Sequence, residues 1–352
     1  MRRDKQHIEK IYGLLPTGAF SFTSLSRRRP RLAARLFKDA SMRRFYTDLC
    51  SVLAVLLTLA LTPAPAQSRG AEDDPLRVML IPADGGTASG TLADFRPLFT
   101  AVSRDTGLYF DLRVGQSYAA VIEAMKGGQI DLAWFGPVAY VQAREAGAAE
   151  LLAVSVLDGE SVYYAGIFVA RDSPLTSIED LRGKAVSFGD INSGSSFTYQ
   201  VAMMLDAGLD PARDLGAIRL TGSHAASLSA LAEGLVDAAC LSFESYVRAV
   251  NNGVIAPDAF RVLARSDAIP NPPLALHTGL PDALKSRLRD AFGRVHEATG
   301  ITPQMVRGYG GKRVDRYDAQ FPESAFDRPA RTLGGISDDV RTALLRKAGR
   351  AP

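Results

Sequence analysis

From Leu76 onward the chain alternates short apolar runs with amphipathic stretches, a rhythm that a layered α/β architecture satisfies. Near Val162 the rhythm starts over. Leu76 to Ile81 carries an apolar strand signal and runs into Ala83-Asp84-Gly85-Gly86, a loop of turn residues. Phe95, Leu98, Phe99 and Val102 recur at i, i+3, i+4 and i+7, which predicts a helix that Gly107 can end. A strand over Tyr109 to Val114 follows, then a helix marked by Tyr118, Val121, Ile122 and Met125 and stopped by Gly127-Gly128. A third strand over Ile130 to Phe135 turns at Gly136-Pro137 into another helix, Pro137 being suited to a first helical position. This order predicts a parallel sheet covered on both faces.

The second round opens with a strand over Val162 to Val169 and a polar break at Arg171-Asp172-Ser173-Pro174. Strands are predicted at Ala185 to Phe188, Ile218 to Leu220, Val236 to Leu241 and Phe260 to Ala264. Helices start at about Ser196 and span Ala225 to Glu233. Asn271-Pro272-Pro273 interrupts, and Leu274 to His277 reads as a strand returning to the first unit. In the helical tail Leu284, Leu288, Phe292 and Val295 share one stripe, and Val340, Leu344 and Leu345 another. An α/β unit inserted within another gives two lobes joined by two crossing strands, which can rotate about hinges and enclose a ligand. The expected boundaries are 67–168 with 268–352 for the first lobe and 169–267 for the second.

The 352 residues suffice for two such lobes, but the first 66 belong to neither. Of the 41 Lys and Arg, 12 lie in that leader, and of the 38 Asp and Glu only 4, so the remainder carries 29 against 34, a net −5. The basicity of the whole chain is therefore a property of its leader and gives no support to nucleic-acid binding. Met42-Arg43-Arg44, the uncharged thirteen-residue run Leu49 to Leu61 and Ala64-Pro65-Ala66 match the three parts of a cleaved signal peptide. The run is short for a membrane-spanning helix, which needs about 20 apolar residues. Residues 42–66 are thus expected to be a signal peptide, and 1–41 a disordered extension or start-site artefact, with export to the periplasm.

Cys50 falls inside that signal, so the mature chain would keep Cys240 alone, flanked by Ala239 and Leu241 as a core residue would be. No His/Cys cluster has metal-ligand spacing, and no Gly-x-Ser-x-Gly, Walker loop or His/Glu metal motif stands in the mature region. Neither an enzyme nor a bound cofactor is expected.

Chemistry is expected beyond the carboxyl ends of the strands, where loops lead into helix N-termini. After Ala185 to Phe188 comes Gly189-Asp190-Ile191-Asn192-Ser193-Gly194-Ser195-Ser196, whose backbone N–H groups and hydroxyls form a seat for an oxyanion. Gly194 lets the backbone approach closely. Thr221-Gly222-Ser223-His224 follows the next strand and adds an imidazole. Either segment also reads as an ordinary helix cap. Tyr118 opens a helix of the first unit, while Tyr163 and Tyr164 face opposite ways on the crossing strand, so one of them can reach the cleft. These donors are neutral, and no arginine is evident among them, which leaves helix dipoles to balance an anion's charge.

The run "SYAAVIEAMKGGQIDLAWFGPVAYVQA" from Ser117, with "NSGSS" and "GSHAASLSAL" after it in the same order, resembles the phosphate/phosphite/phosphonate-binding proteins of ABC transporters. The resemblance extends over roughly 75 to 300. It implies the type II periplasmic binding-protein fold, two α/β lobes joined by a two-strand hinge with the ligand cleft between them. It further implies that Tyr118, Tyr163, Ser193, Ser195 and His224 hydrogen-bond a small phosphorus oxyanion, with the Gly194 N–H and Ser196 completing the loop. The partner would be a transporter permease, the only route to the membrane, and the protein itself a monomer. One departure is Ser193-Gly194-Ser195-Ser196, where members often have Ser-Thr-Ser-Gly. Another is Ile269-Pro270-Asn271-Pro272, which lacks the acid that aminoalkylphosphonate binders place near the ammonium group, leaving Glu244 as the nearby acid. Phosphate, phosphite or a simple alkylphosphonate is the expected cargo. A sulfonate or a pyrimidine vitamin precursor, or a role as ligand-sensing partner of a membrane receptor, are the alternatives on the same scaffold.

Overall fold

The computed structural model describes residues 69–82 and 87–349. The signal segment 42–66, the extension before it and the loop 83–86 lie outside the described residues. Gln67 to Pro352 forms one compact unit.

Within it the chain runs β1 (Leu76–Leu80), α1 (Ala88–Thr106), β2 (Phe110–Val114), α2 (Tyr118–Lys126), β3 (Leu132–Trp134), α3 (Pro137–Glu145) and β4 (Ala149–Val156). Next come β5 (Val162–Tyr163), β6 (Ala165–Ala170), β7 (Ala185–Phe188), α4 (Tyr199–Asp206), α5 (Pro211–Asp214), β8 (Ala217–Leu220), α6 (His224–Ala232) and β9 (Ala238–Ser242). The last elements are α7 (Phe243–Asn251), β10 (Phe260–Arg265), β11 (Ile269–Pro270), β12 (Pro273–His277), α8 (Asp282–Arg294), β13 (Arg316–Asp318), α9 (Asp327–Gly334) and α10 (Asp338–Ala348).

Two sheets carry the lobes. The first has the order β13-β4-β12-β3-β1-β2 and the second β10-β6-β9-β7-β8. As expected, β2, β1 and β3 are parallel, and so are β8, β7 and β9. Neither sheet is parallel throughout, however. The returning strand β12 enters antiparallel between β3 and β4, and β6 lies antiparallel to β9. A strand that comes back from the other lobe arrives from the opposite direction, so insertion of one unit in another makes both sheets mixed. The strands β4 and β13 were not legible in the pattern.

Period-two alternation divides the second sheet between two cores. Ile167, Val169 and Cys240 pack in one apolar cluster with Val186 and Phe188, while Phe168, Ala239 and Leu241 pack in the other. Cys240 is the core residue its neighbours suggested, and burial pushes its thiol well above the ordinary range. In the first lobe Phe95, Phe99, Trp134 and Phe292 share one core. At the N-terminal end of β3, opposite the strand ends where loops converge, buried Asp131 is held by Arg77 at 2.8 Å and Arg69 at 2.9 Å.

Two short strands cross between the lobes, with Tyr163 opposite Ile269 and Val162 opposite Pro270. The first crossing therefore precedes Ala165, and β6 belongs wholly to the second sheet, where the sequence had placed the boundary at 168/169. The tail differs more. Ile336 and Leu344 join the core of the second lobe with Ile218, so α10 packs there although 268–352 was assigned to the first lobe. Leu345, expected on the same stripe, is 46% exposed.

Candidate functional site

Each of the three parallel strands of the second lobe ends in a helix start. Beyond β7 the π-turn Gly194–Thr198 precedes α4, and Ser193 caps it, its Oγ accepting from the Ser196 N–H at 3.2 Å. Beyond β8 Ser223 caps α6 by accepting from the Ala226 N–H at 3.2 Å. Beyond β9 Ser242 caps α7, accepting from the Ser245 N–H at 3.1 Å. Capping takes one N–H of each first turn; the others point outward with the positive ends of the peptide dipoles. Because β8, β7 and β9 are neighbours, the three starts lie side by side.

The turn after β7 is fixed from below by Gln200, fully buried, whose Nε2 donates to Ser195 O at 2.6 Å, Gly166 O at 3.1 Å and Leu241 O at 3.4 Å. That binds the loop to β6 and β9. Gly189 is required there, since a Cβ would meet Ser196 Oγ at 2.3 Å. The Ser196 hydroxyl accordingly lies against Gly189. At Gly194 a Cβ would stand 3.2 Å from Val138 Cγ2, so the close approach this glycine permits is that of α3 from the other lobe.

His224 is 1% exposed and its Nδ1 accepts the Ser242 N–H at 3.0 Å. An imidazole nitrogen that accepts carries no proton, so in the neutral ring the proton sits on Nε2. Gly222, at φ 80°, supplies the left-handed turn that brings His224 to the helix start.

The first lobe and the hinge meet these loops. Tyr163 donates from its hydroxyl to Ser195 Oγ at 3.1 Å, both residues buried. Its neighbour Tyr164 faces the other way, with the Arg265 guanidinium 3.6 Å above its ring. Tyr118, 2% exposed, opens α2 and packs its ring near Gly136. Its backbone N–H reaches the Asp190 carboxylate across the cleft, and Asp190 also accepts from the Asn192 N–H at 2.8 Å. Burial pushes the Asp190 carboxyl up, against the downward pull of these N–H groups. Arg248 of α7 pairs with Asp94 of α1 at 3.0 Å, another link between the lobes.

Tyr118, Tyr163, Ser193, Gly194, Ser195 and His224 are thus brought to one cleft, while Ser196 contributes its backbone to the same turn. Four neighbours escaped the sequence argument. Gln200 and Ser242 act from within ordinary element interiors and caps, and Asp190 was one polar residue in a polar loop. Tyr309 lies far along the chain between glycines, with no periodic context. Its hydroxyl stands 3.0 Å from Ser245 Oγ and 3.3 Å from Ser242 Oγ, and its ring 5.5 Å from Trp134. Among the described residues no group of three or more His, Cys, Asp or Glu is arranged to hold a metal ion, and no helix is long and apolar enough to cross a membrane.

The arrangement can surround a small anion with hydroxyls, an imidazole N–H and first-turn backbone N–H groups, without placing a nucleophile against a base. Comparisons with known proteins identify the family. The family model for the periplasmic substrate-binding protein of phosphonate ABC transporters matches residues 87–318. The phosphate-import protein PhnD of Mycolicibacterium smegmatis is 29% identical over 240 residues, covering 65% of this chain and 74% of that protein. The phosphonates-binding periplasmic protein of Escherichia coli is 24% identical over 221 residues, 59% of this chain and 64% of that one. Among solved structures, a binding protein component of an ABC phosphonate transporter from Pseudomonas aeruginosa superposes with a TM-score of 0.64 at 20% identity, covering 78% of this chain and 99% of its own. PhnD1 of Prochlorococcus marinus, in complex with methylphosphonate, gives 0.64 at 17% identity, covering 74% and 98%. At these identities the structural likeness speaks for the two-lobed fold.

Proposed function

Because the chain belongs to the family of periplasmic substrate-binding proteins of phosphonate ABC transporters, we propose that its lobes clamp phosphate, phosphite or a simple alkylphosphonate and present it to a membrane permease. Family members are transport components working outside the cytoplasm, not enzymes. Residues 42–66 would serve as the cleaved export signal.

The observation that carries the reading is the contact between Tyr163 and Ser195, set beside three adjacent helix starts. A hinge hydroxyl meets the second-lobe loop at the place where first-turn N–H groups favour negative charge. Neutral donors suit cargo that must be handed on, because they bind an oxyanion directionally without a fixed ion pair. Closure of the lobes would desolvate the anion and strengthen each of those bonds. The relatives' names point to the same chemistry, phosphate in one and phosphonates in another. An aminoalkyl ligand is disfavoured, since Asn271 stands in the hinge segment where an acid is wanted and its amide donates to Ser155 O at 2.9 Å.

Calorimetric titration of the purified, ligand-free protein with phosphate, phosphite, methylphosphonate and aminoethylphosphonate tests the proposal. Saturable binding of one of the first three is expected. Heat from none of the four would sink the phosphorus assignment, and preference for aminoethylphosphonate would overturn the choice of cargo.

A further inference from the structure

Tyr309 stands where the cleft changes character. It belongs to a single 3-10 turn, Tyr309–Gly311, near the tail of the chain, yet its hydroxyl reaches Ser242 and Ser245 of the second lobe. Its ring lies 5.9 Å from that of Tyr163 and 6.2 Å from that of His224, so one side of it faces two of the oxyanion donors. The same residue also lines two cavities. One, of about 390 Å³, lies between Asp94 and Lys312 on one flank and Glu244 and Arg248 on the other. The second, of about 210 Å³, is bounded by Ser155, Glu160, Asn271 and Glu244. Tyr309 and Glu244 line both, whereas Tyr163, Ser193, Ser195 and His224 line neither.

We infer that Tyr309 is a specificity-determining partition, its ring walling the oxyanion donors off from these cavities so that only a compact substituent on phosphorus fits. The inference rests on the oxyanion reading above. A tetrahedral anion held by Tyr163, the loop hydroxyls and His224 presents its remaining substituent away from them, and the Tyr309 ring is the wall it meets. A hydrogen, a hydroxyl or a methyl group lies against that wall. A longer chain has to move a ring that is 7% exposed, packed on Trp134 and bonded through its hydroxyl to the second lobe. Space for such a chain exists, but behind the ring. The size limit is therefore set by one side chain rather than by the volume of the cleft.

The test is calorimetric titration of the purified protein with methyl-, propyl- and hexylphosphonate. Wild-type protein should lose about tenfold or more in affinity between methyl and propyl, the size of effect that added methylenes have at a closed wall. Tyr309→Ala should bind propylphosphonate about tenfold more tightly than wild type does, with methylphosphonate changed less. Tyr309→Phe keeps the wall and should keep the size limit, which separates the ring from its hydroxyl. Wild-type protein that binds hexylphosphonate as tightly as methylphosphonate overturns the inference without any variant, whether or not Tyr309→Ala folds. So does a folded Tyr309→Ala with the wild-type size limit. If wild-type protein binds none of phosphate, phosphite and methylphosphonate, the oxyanion reading itself has failed and this inference falls with it, a result unlike either of the others.

Discussion

The Tyr163 hydroxyl and Ser195 Oγ, 32 positions apart in the chain, meet at 3.1 Å where the hinge passes the second-lobe turn beyond β7. Neither residue is exceptional in sequence. Their contact puts a donor from the crossing strand and a hydroxyl from a helix start on the same small volume. If both serve one ligand, Tyr163→Phe and Ser195→Ala should each weaken anion binding by about tenfold to a hundredfold, the range for hydrogen bonds to a charged group. The double variant should lose less than the product of the two. Full additivity in calorimetry would mean that the two hydroxyls act on separate things.

His224 offers a cleaner separation of structure from binding. Its Nδ1 accepts the Ser242 N–H, so in the neutral ring Nε2 is the protonated nitrogen, the one proposed to meet the anion. Asparagine places an amide near the Nδ1 position and glutamine near Nε2. His224→Asn should retain most of the stability and lose anion affinity. His224→Gln should retain more affinity and cost about 1–3 kcal/mol in urea denaturation, the cost of an unsatisfied buried N–H. Equal losses of both properties in both variants would contradict the assigned tautomer.

Gly194 is crowded by Val138 from the opposing lobe. Gly194→Ala should therefore weaken ligand binding by hindering the approach of the lobes, with little effect on the unfolding midpoint. Adding Val138→Ala should restore affinity, because it removes the methyl group that the new Cβ meets. A binding defect that Val138→Ala leaves untouched would place the fault in the loop itself.

Asp190 makes stability depend on pH with a sign that can be stated. Burial raises its folded value above that of the unfolded chain, which is about 3.9. Between those two values the folded state holds more protons, so its stability falls as pH rises through the raised value. Asparagine does not titrate. The stability of Asp190→Asn relative to wild type should thus be higher at pH 7 than at about pH 4, as measured by urea denaturation at each pH. Parallel profiles would show that Asp190 contributes no such component.

The tail gives a paired test. Leu344 is fully buried in the second-lobe core and its neighbour Leu345 is 46% exposed. Leu344→Ala should cost about 2–5 kcal/mol. Leu345→Ala should stay within about 0.5 kcal/mol, as surface changes do. Similar losses at both would return Leu345 to the packed stripe.

Periodicity and turn chemistry determined much of this protein before any coordinates. The parallel strand triplets, the helices of Phe95 and Leu288, the return of Leu274 to the first sheet and the helix starts beyond β7 and β8 all follow from local pattern. They do so because an apolar period and a helix cap are properties of a few consecutive residues. The tertiary structure decided what depends on residues distant in sequence. Strand β4 was hidden because Ala149–Val156 is buried along most of its length and shows no clean alternation. The seat of α10 was undecided, since an amphipathic stripe says that a helix is covered but not by which lobe. Tyr309 reaches the cleft only because the chain folds its tail back across the strand ends, and such a contact between distant segments leaves no period in the sequence.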